Sequence, residues 1–200
     1  SNEKRIRKMA KAGIQNVNNG WYYLTHLGKS GRFVDYLEGD ILKRLNGLVH
    51  SEAEQPRDFR KKDVTLNIPG YTPASWEKVP AKVEEAIKTV KEMYLGNPLE
   101  SAITAHLSLA ALQPFRDGNK RCARLVQDRI LFEMGMPPAI ITAGEGKFYH
   151  DLLVRTLPTY RDKDAEGQRQ FYDYCASKIN NGLDEILGDL FEEPHIVNSQ

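Results

Sequence analysis

Cysteine is almost missing from this chain. Its 200 residues hold two, Cys122 and Cys175, too few for a disulfide framework and without the paired spacing of a metal site. That scarcity points to a reducing, cytoplasmic setting. No apolar run approaches the roughly 20 residues that cross a bilayer. The polar start Ser1-Asn2-Glu3-Lys4-Arg5 carries no apolar stretch of the kind a secretory signal needs. An excess of either charge is lacking too: 28 Lys and Arg face 27 Asp and Glu, a net charge of +1. Neither a basic field nor a basic stripe interleaved with aromatics is present, so nucleic acid and membrane are not expected partners. Repeats and low-complexity tracts are absent as well.

What is present suits a soluble globular fold, with 40% hydrophobic and 28% charged residues, enough chain for one core domain and an extension. Residues 3–16 read as a short basic helix. Over 31–49, Phe33, Leu37, Ile41, Leu45 and Leu48 recur at three- and four-residue steps, a helical stripe. A polar loop with Pro56 follows. From Asp63 to Ile68 apolar and polar residues alternate, and Pro69-Gly70 signals a turn, so 63–76 is expected to form a short β-hairpin. The remainder reads as helices over 80–95, 98–112, 118–134, 146–156 and 166–190. Pro98 opens the second of these, and Gly135 with Met136-Pro137-Pro138 closes the third. The expected fold is all-α with one β-hairpin. Residues 1–55 form an N-terminal helical extension, 56–190 the core, and 191–200 a tail. A homodimer is compatible with this composition.

One segment concentrates chemistry: Gln113-Pro114-Phe115-Arg116-Asp117-Gly118-Asn119-Lys120-Arg121-Cys122-Ala123-Arg124. It is a turn that opens into a helix. A helix N-terminus presents unpaired N–H groups and the positive end of the dipole. Gly118 allows close backbone approach, and Asn119 adds an amide. Lys120 and Arg121 place cations in the first turn, where they oppose the dipole unless an anion compensates them. Arg124 shares the face of Arg121. Asp117 offers a hard oxygen suited to Mg²⁺ beside phosphates. An Asp-Gly-Asn turn is also an ordinary helix start, and these features alone leave both readings open.

The segment resembles the Fic/Doc family motif H-P-F-x-[D/E]-G-N-G-R-x-x-R, with Pro114, Phe115, Asp117, Gly118, Asn119, Arg121 and Arg124 on matching positions. Ala105-His106 upstream and the Tyr149-x-x-x-Leu153 helix downstream extend the likeness over 56–190. The resemblance implies a helical core preceded by a hairpin flap at 63–76. It implies ATP carried with Mg²⁺ on Asp117, and a nucleotide contacted by Phe115, Gly118, Asn119, Lys120, Arg121, Arg124 and Tyr149. It further implies transfer of AMP or phosphate to a protein hydroxyl, with the target held along Val64–Trp76.

Two positions depart from the motif. Gln113 stands where the family carries its catalytic histidine, and an amide lacks the basicity to take a proton. His106 reads as a packed or hydrogen-bonded core histidine, and His150 is the other histidine near enough to consider. Lys120 replaces the second glycine, as in the kinase-like Doc branch. The candidate catalytic set is Gln113, Lys120, Arg121 and Arg124, and a catalytically inactive nucleotide- or partner-binding module is the alternative. Ser177-Lys178-Ile179-Asn180-Asn181-Gly182 has the spacing of the family's inhibitory helix, but Asn181 replaces its glutamate and brings no charge for Arg124.

Overall fold

The computed structural model describes residues 2–28, 31–50 and 56–191. The expected tail falls almost entirely outside them. Eight α-helices are present among the described residues: α1 Asn2–His26, α2 Phe33–Tyr36, α3 Gly39–Val49, α4 Val79–Tyr94, α5 Pro98–Leu112, α6 Asn119–Glu133, α7 Gly146–Arg161 and α8 Ala165–Phe191.

The fold is organised around α5. Asn97 starts it: its side-chain oxygen accepts from Glu100 N at 3.1 Å, and Pro98 occupies the first turn, where a missing N–H does no harm. From Ser101 to Leu112 every residue is buried, so α5 is a core helix rather than an amphipathic one. One face, with Ala102, Ala105, Leu109 and Leu112, joins the larger core of α1 through α6. The other, with Ile103, Leu107, Ala110 and Ala111, joins a second cluster with Tyr149, Leu152, Leu153 and Phe171 of α7 and α8. α6 lies against α5 and is tied to α1 by Arg129, buried at 6% exposure. Its guanidinium donates to the carbonyls of Leu24 (3.0 Å) and Leu27 (3.1 Å) at the end of α1, where the helix dipole favours a cation.

The structure corrects three expectations. The first helix runs to His26, well beyond residue 16. The stripe over 31–49 is split: Leu37 and Glu38 are extended, which keeps Phe33, Val34 and Leu37 buried while α3 takes a new axis. Gly39 sits at that corner, packed beneath Phe59, whose ring would lie 3.3 Å from an added Cβ. Third, 63–76 forms no hairpin ladder. A single antiparallel bridge, Ile68 to Tyr71, spans the Pro69-Gly70 turn. The two legs are held together instead by Arg60, whose guanidinium donates to Lys62 O and Ala74 O. With a buried fork binding the carbonyls at the base, ladder bonds are not needed to close the loop.

In α8, Asn181 and Gly182 continue the helix without a turn. Gly182 lets α8 approach Pro137, whose Cβ would lie 2.9 Å from an added Cβ. Asn181 is exposed.

Candidate functional site

α5 ends at Gln113, whose backbone is left-handed at φ 47, ψ 57. This unusual state turns the chain sharply into the loop that starts α6. Phe115 anchors the loop in the core, 2% exposed, with its ring 5.5 Å from that of Phe59. Asn119 staples it: Oδ1 accepts from Phe115 N at 2.9 Å, and Nδ2 donates to Phe115 O at 2.8 Å and to Gln113 Oε1 at 2.9 Å. Gln113 Nε2 donates to Ala110 O at 2.6 Å. Both ends of the Gln113 amide are therefore engaged within the protein.

Gly118 has φ 82 and caps α6. A Cβ there would fall 2.7 Å from His50 Nε2 and 2.8 Å from Asn46 Nδ2, so glycine is required by the end of α3 as well as by backbone strain. Asn46 Nδ2 donates to Asp117 O at 3.0 Å. Arg121 reaches the same helix end, donating to Val49 O at 2.7 Å, and pairs with Asp117 Oδ2 at 3.4 Å.

These residues surround a cleft of about 190 Å³ lined by Gln113, residues 116–121 and Arg124. Asp117 offsets Arg121. Arg116, Lys120 and Arg124 make no ion pair among the described residues, Arg124 being offset only by the Asp128 carboxyl one turn further along α6. Arg116 and Lys120 are exposed and Arg124 half-buried, and together with the start of α6 they favour an anion in the cleft. Asp117 gives one carboxylate, with Oδ1 accepting from Gly118 N at 2.6 Å. No group of three His, Cys, Asp or Glu occurs among the described residues. That donor set fits Mg²⁺ arriving with a nucleotide and keeping most of its water, and does not fit a resident all-protein metal cage.

Not every expected ligand faces the cleft. Phe115 and Tyr149 do not line it, because both rings are buried in the core. Asn119 and Arg121 line the cleft with side chains already engaged, Asn119 by Phe115 and Gln113 and Arg121 by Val49 O and Asp117. Tyr149 reaches the site through Arg124, whose guanidinium lies 5.9 Å from its ring centre. The Tyr149 hydroxyl bonds His106 Nε2 at 2.7 Å, and His106 Nδ1 bonds Gln127 Oε1 at 2.8 Å. Complete burial pushes the His106 pKa down to about 4, so the imidazole is neutral, donates from Nδ1 and accepts the phenol proton. His106 is thus a core residue supporting Tyr149 and, through it, Arg124.

Sequence reasoning did not single out Arg60, Asn46 or His50. Arg60 Nε donates to Gln113 O at 2.8 Å and Arg60 N to Pro114 O at 2.9 Å. A lone arginine in a polar loop carries no local signal for these contacts, which join residues far apart in the chain.

Asp128 lies one turn beyond Arg124 on α6 and accepts from Ala139 N at 3.1 Å. Burial raises its pKa from 3.8 to about 6. The native state therefore holds this proton more tightly than the unfolded chain. The site's contribution to stability is fullest below about pH 4 and is lost as pH rises through 6. Asp128→Asn keeps the acceptor for Ala139. It is expected to stabilise the protein at pH 7.5 by up to about 2–3 kcal/mol and to change nothing near pH 4. Urea denaturation at the two pH values checks this.

The geometry defines a helical domain with a cation-lined cleft where α5 turns into α6. Residues 36–131 match the family model described as Fic/DOC family. The chain is 27% identical over 169 residues to protein adenylyltransferase fic-1 of Caenorhabditis elegans, covering 82% of this chain and 32% of that protein. It is 38% identical over 116 residues to protein adenylyltransferase Fic of Aedes aegypti, covering 57% and 22%. The solved Fic-1 structure from C. elegans superposes with a TM-score of 0.70 at 19% identity, covering 90% of this chain and 51% of that one, a likeness of fold. The chain spans about a third or less of the length of these curated relatives. It is a Fic-domain protein.

Proposed function

We propose that the cleft binds ATP by its phosphate tail and that the domain transfers AMP to a protein hydroxyl, slowly in the form that carries Gln113. The observation carrying this reading is the set of unpaired cations, Arg116, Lys120 and Arg124, around the N-terminus of α6. Preorganised cations and amides of this kind stabilise charge as it develops on phosphate. Relatives bearing the name protein adenylyltransferase support AMP rather than phosphate as the transferred group. In that reaction the target oxygen bonds to the α-phosphorus, the bond to pyrophosphate breaks, and the hydroxyl proton must leave. Asp117 would hold Mg²⁺, which neutralises phosphate charge when it is bound. The target would lie along Val64–Trp76, where residues 64–67 carry no ladder partner, half-buried Val64 and Leu66 alternate with exposed Thr65 and Asn67, and Asn67 turns the leg with a left-handed backbone at φ 52.

A second reading, nucleotide binding without transfer, is favoured by one observation: the Gln113 amide is engaged at both ends, by Ala110 and Asn119, and offers no basic lone pair. ATP labelled at the α or at the γ phosphate, incubated with the protein and cell lysate, separates the readings. Protein-bound label from α alone is expected. Label from γ alone would make the domain a kinase. Binding by calorimetry without label would establish the second reading, and no binding at all would overturn both.

A further inference from the structure

A larger groove lies on the other side of α5 and shares no lining residue with the phosphate cleft. Its volume is about 830 Å³, within the range of roughly 300–1,000 Å³ typical of small-molecule sites. Glu100, Thr104, Ser108 and Leu112 form its floor. They recur at four-residue steps along one face of α5, a strip about 18 Å long.

Two kinds of chemistry meet along that strip. The apolar lining comes from Tyr71, Tyr160 and Tyr172 together with Ala86 and Met93 of α4. The floor is hydroxylic. Ser108 is 3% and Thr104 8% exposed; Thr104 Oγ1 and Tyr172 OH lie 2.8 Å apart, and the Tyr160 hydroxyl meets that of Ser108. Thr104 Oγ1 also donates to Met93 Sδ at 3.1 Å, so the Thr104–Tyr172 pair has used both protons and keeps lone pairs free to accept from a third party.

Charge at the mouth is mostly neutralised, and at one end of the floor Glu100 is bonded by the Asn97 amide without an ion pair among the described residues. Lys82 pairs with Glu85 at 2.6 Å, Arg161 with Asp162 at 2.8 Å, and Arg169 with Glu166 and Asp173 at 3.8 Å each. Among the described residues lining the groove, Lys163, at the turn between α7 and α8, is the cation with no ion pair. A polyphosphate finds too little free charge here, and a divalent metal finds no cluster of ligands.

We propose that this groove is a second binding site, for a small aromatic acid: a planar ring with hydrogen-bonding substituents on its edge and one negative charge. The ring lies between the tyrosines and Met93, the substituents bond to the Thr104 and Ser108 hydroxyls, and the charge is met by Lys163. The site is independent of the phosphate cleft and of any transfer reaction.

The test uses 4-hydroxyphenylacetate and its uncharged amide as probes, titrated into ¹⁵N-labelled protein. The acid should shift the amide signals of Thr104, Ser108 and Tyr172 and leave residues 116–121 unmoved. The amide should bind more weakly by about 1.5- to fivefold, the range of one exposed charge pair, and Lys163→Ala should abolish that preference. Thr89→Trp, at an exposed rim position on α4, should block both probes without disturbing the core. The proposal falls if neither probe moves the groove signals at millimolar concentration, if Thr89→Trp leaves the shifts intact, or if acid and amide bind equally to the unmodified protein.

Discussion

Replacing Gln113 with histidine is expected to raise AMP transfer roughly 10²–10⁴-fold, the usual contribution of a general base. The backbone can accept the change. Position 113 is left-handed, with φ 47, a region in which histidine is among the better-tolerated residues other than glycine. The substitution removes two side-chain bonds, Gln113 Nε2 to Ala110 O and Asn119 Nδ2 to Gln113 Oε1. Asn119 keeps both of its bonds to Phe115, so the loop that presents Lys120 and Arg124 stays in place. The gain should therefore appear in kcat, with ATP affinity changed by no more than about twofold, because a base acts on the transition state and not on the bound nucleotide. The histidine enzyme should also gain a pH dependence that the parent lacks, its rate rising as the imidazole loses its proton near pH 6.5. Steady-state transfer from α-labelled ATP between pH 5.5 and 8.5 measures both. An unchanged rate with intact ATP binding would show that the base is not what this domain is missing.

Local signals in the sequence reach some parts of this molecule and stop short of others. The limits of α5 are written in Asn97-Pro98 at one end and in the abrupt change to Gln113-Pro114 at the other, because caps and turns are local chemistry. The cation-rich loop is legible for the same reason, since a glycine, an acid and four basic residues within nine positions announce a turn into a charged helix start. What cannot be read locally is which of those cations is free. Arg121 and Arg124 are equivalent as sequence, yet Arg121 is drawn to Val49 O and Asp117 while Arg124 stands over Tyr149. The difference is decided by the end of α3, some seventy residues earlier. Gly118 shows the same limit. Its left-handed backbone is expected from any Asp-Gly turn, but the crowding by His50 and Asn46 exists only once α3 has docked. The 63–76 loop shows the converse, since its alternating pattern describes inward and outward faces correctly and says nothing of whether a second strand pairs with it.

Arg60→Ala is expected to destabilise the domain by about 3 kcal/mol, because no other group can replace what the guanidinium does. Its side chain is fully buried. Through one fork it donates to Gln113 O, Lys62 O and Ala74 O, and a buried carbonyl left without a donor keeps the cost of its lost hydration. Arg60→Lys retains the charge without the planar fork and can serve only part of this set, so roughly half the loss should return. The same three bonds fix the distance between the 63–76 loop and position 113, the two places where a target segment and its hydroxyl would be held. In the Gln113→His background, Arg60→Lys should accordingly bind ATP as the parent does, since it touches none of the cleft cations. Its transfer to protein should fall about 10- to 100-fold, as expected when reacting groups are misplaced by about an ångström. Urea denaturation, calorimetry with ATP and transfer kinetics give three separate numbers. A variant with alanine at 60 as stable as the parent would show that water can replace the fork. Transfer and ATP binding falling together in the lysine variant would show that Arg60 supports the whole loop rather than the junction between the target's track and the site of reaction.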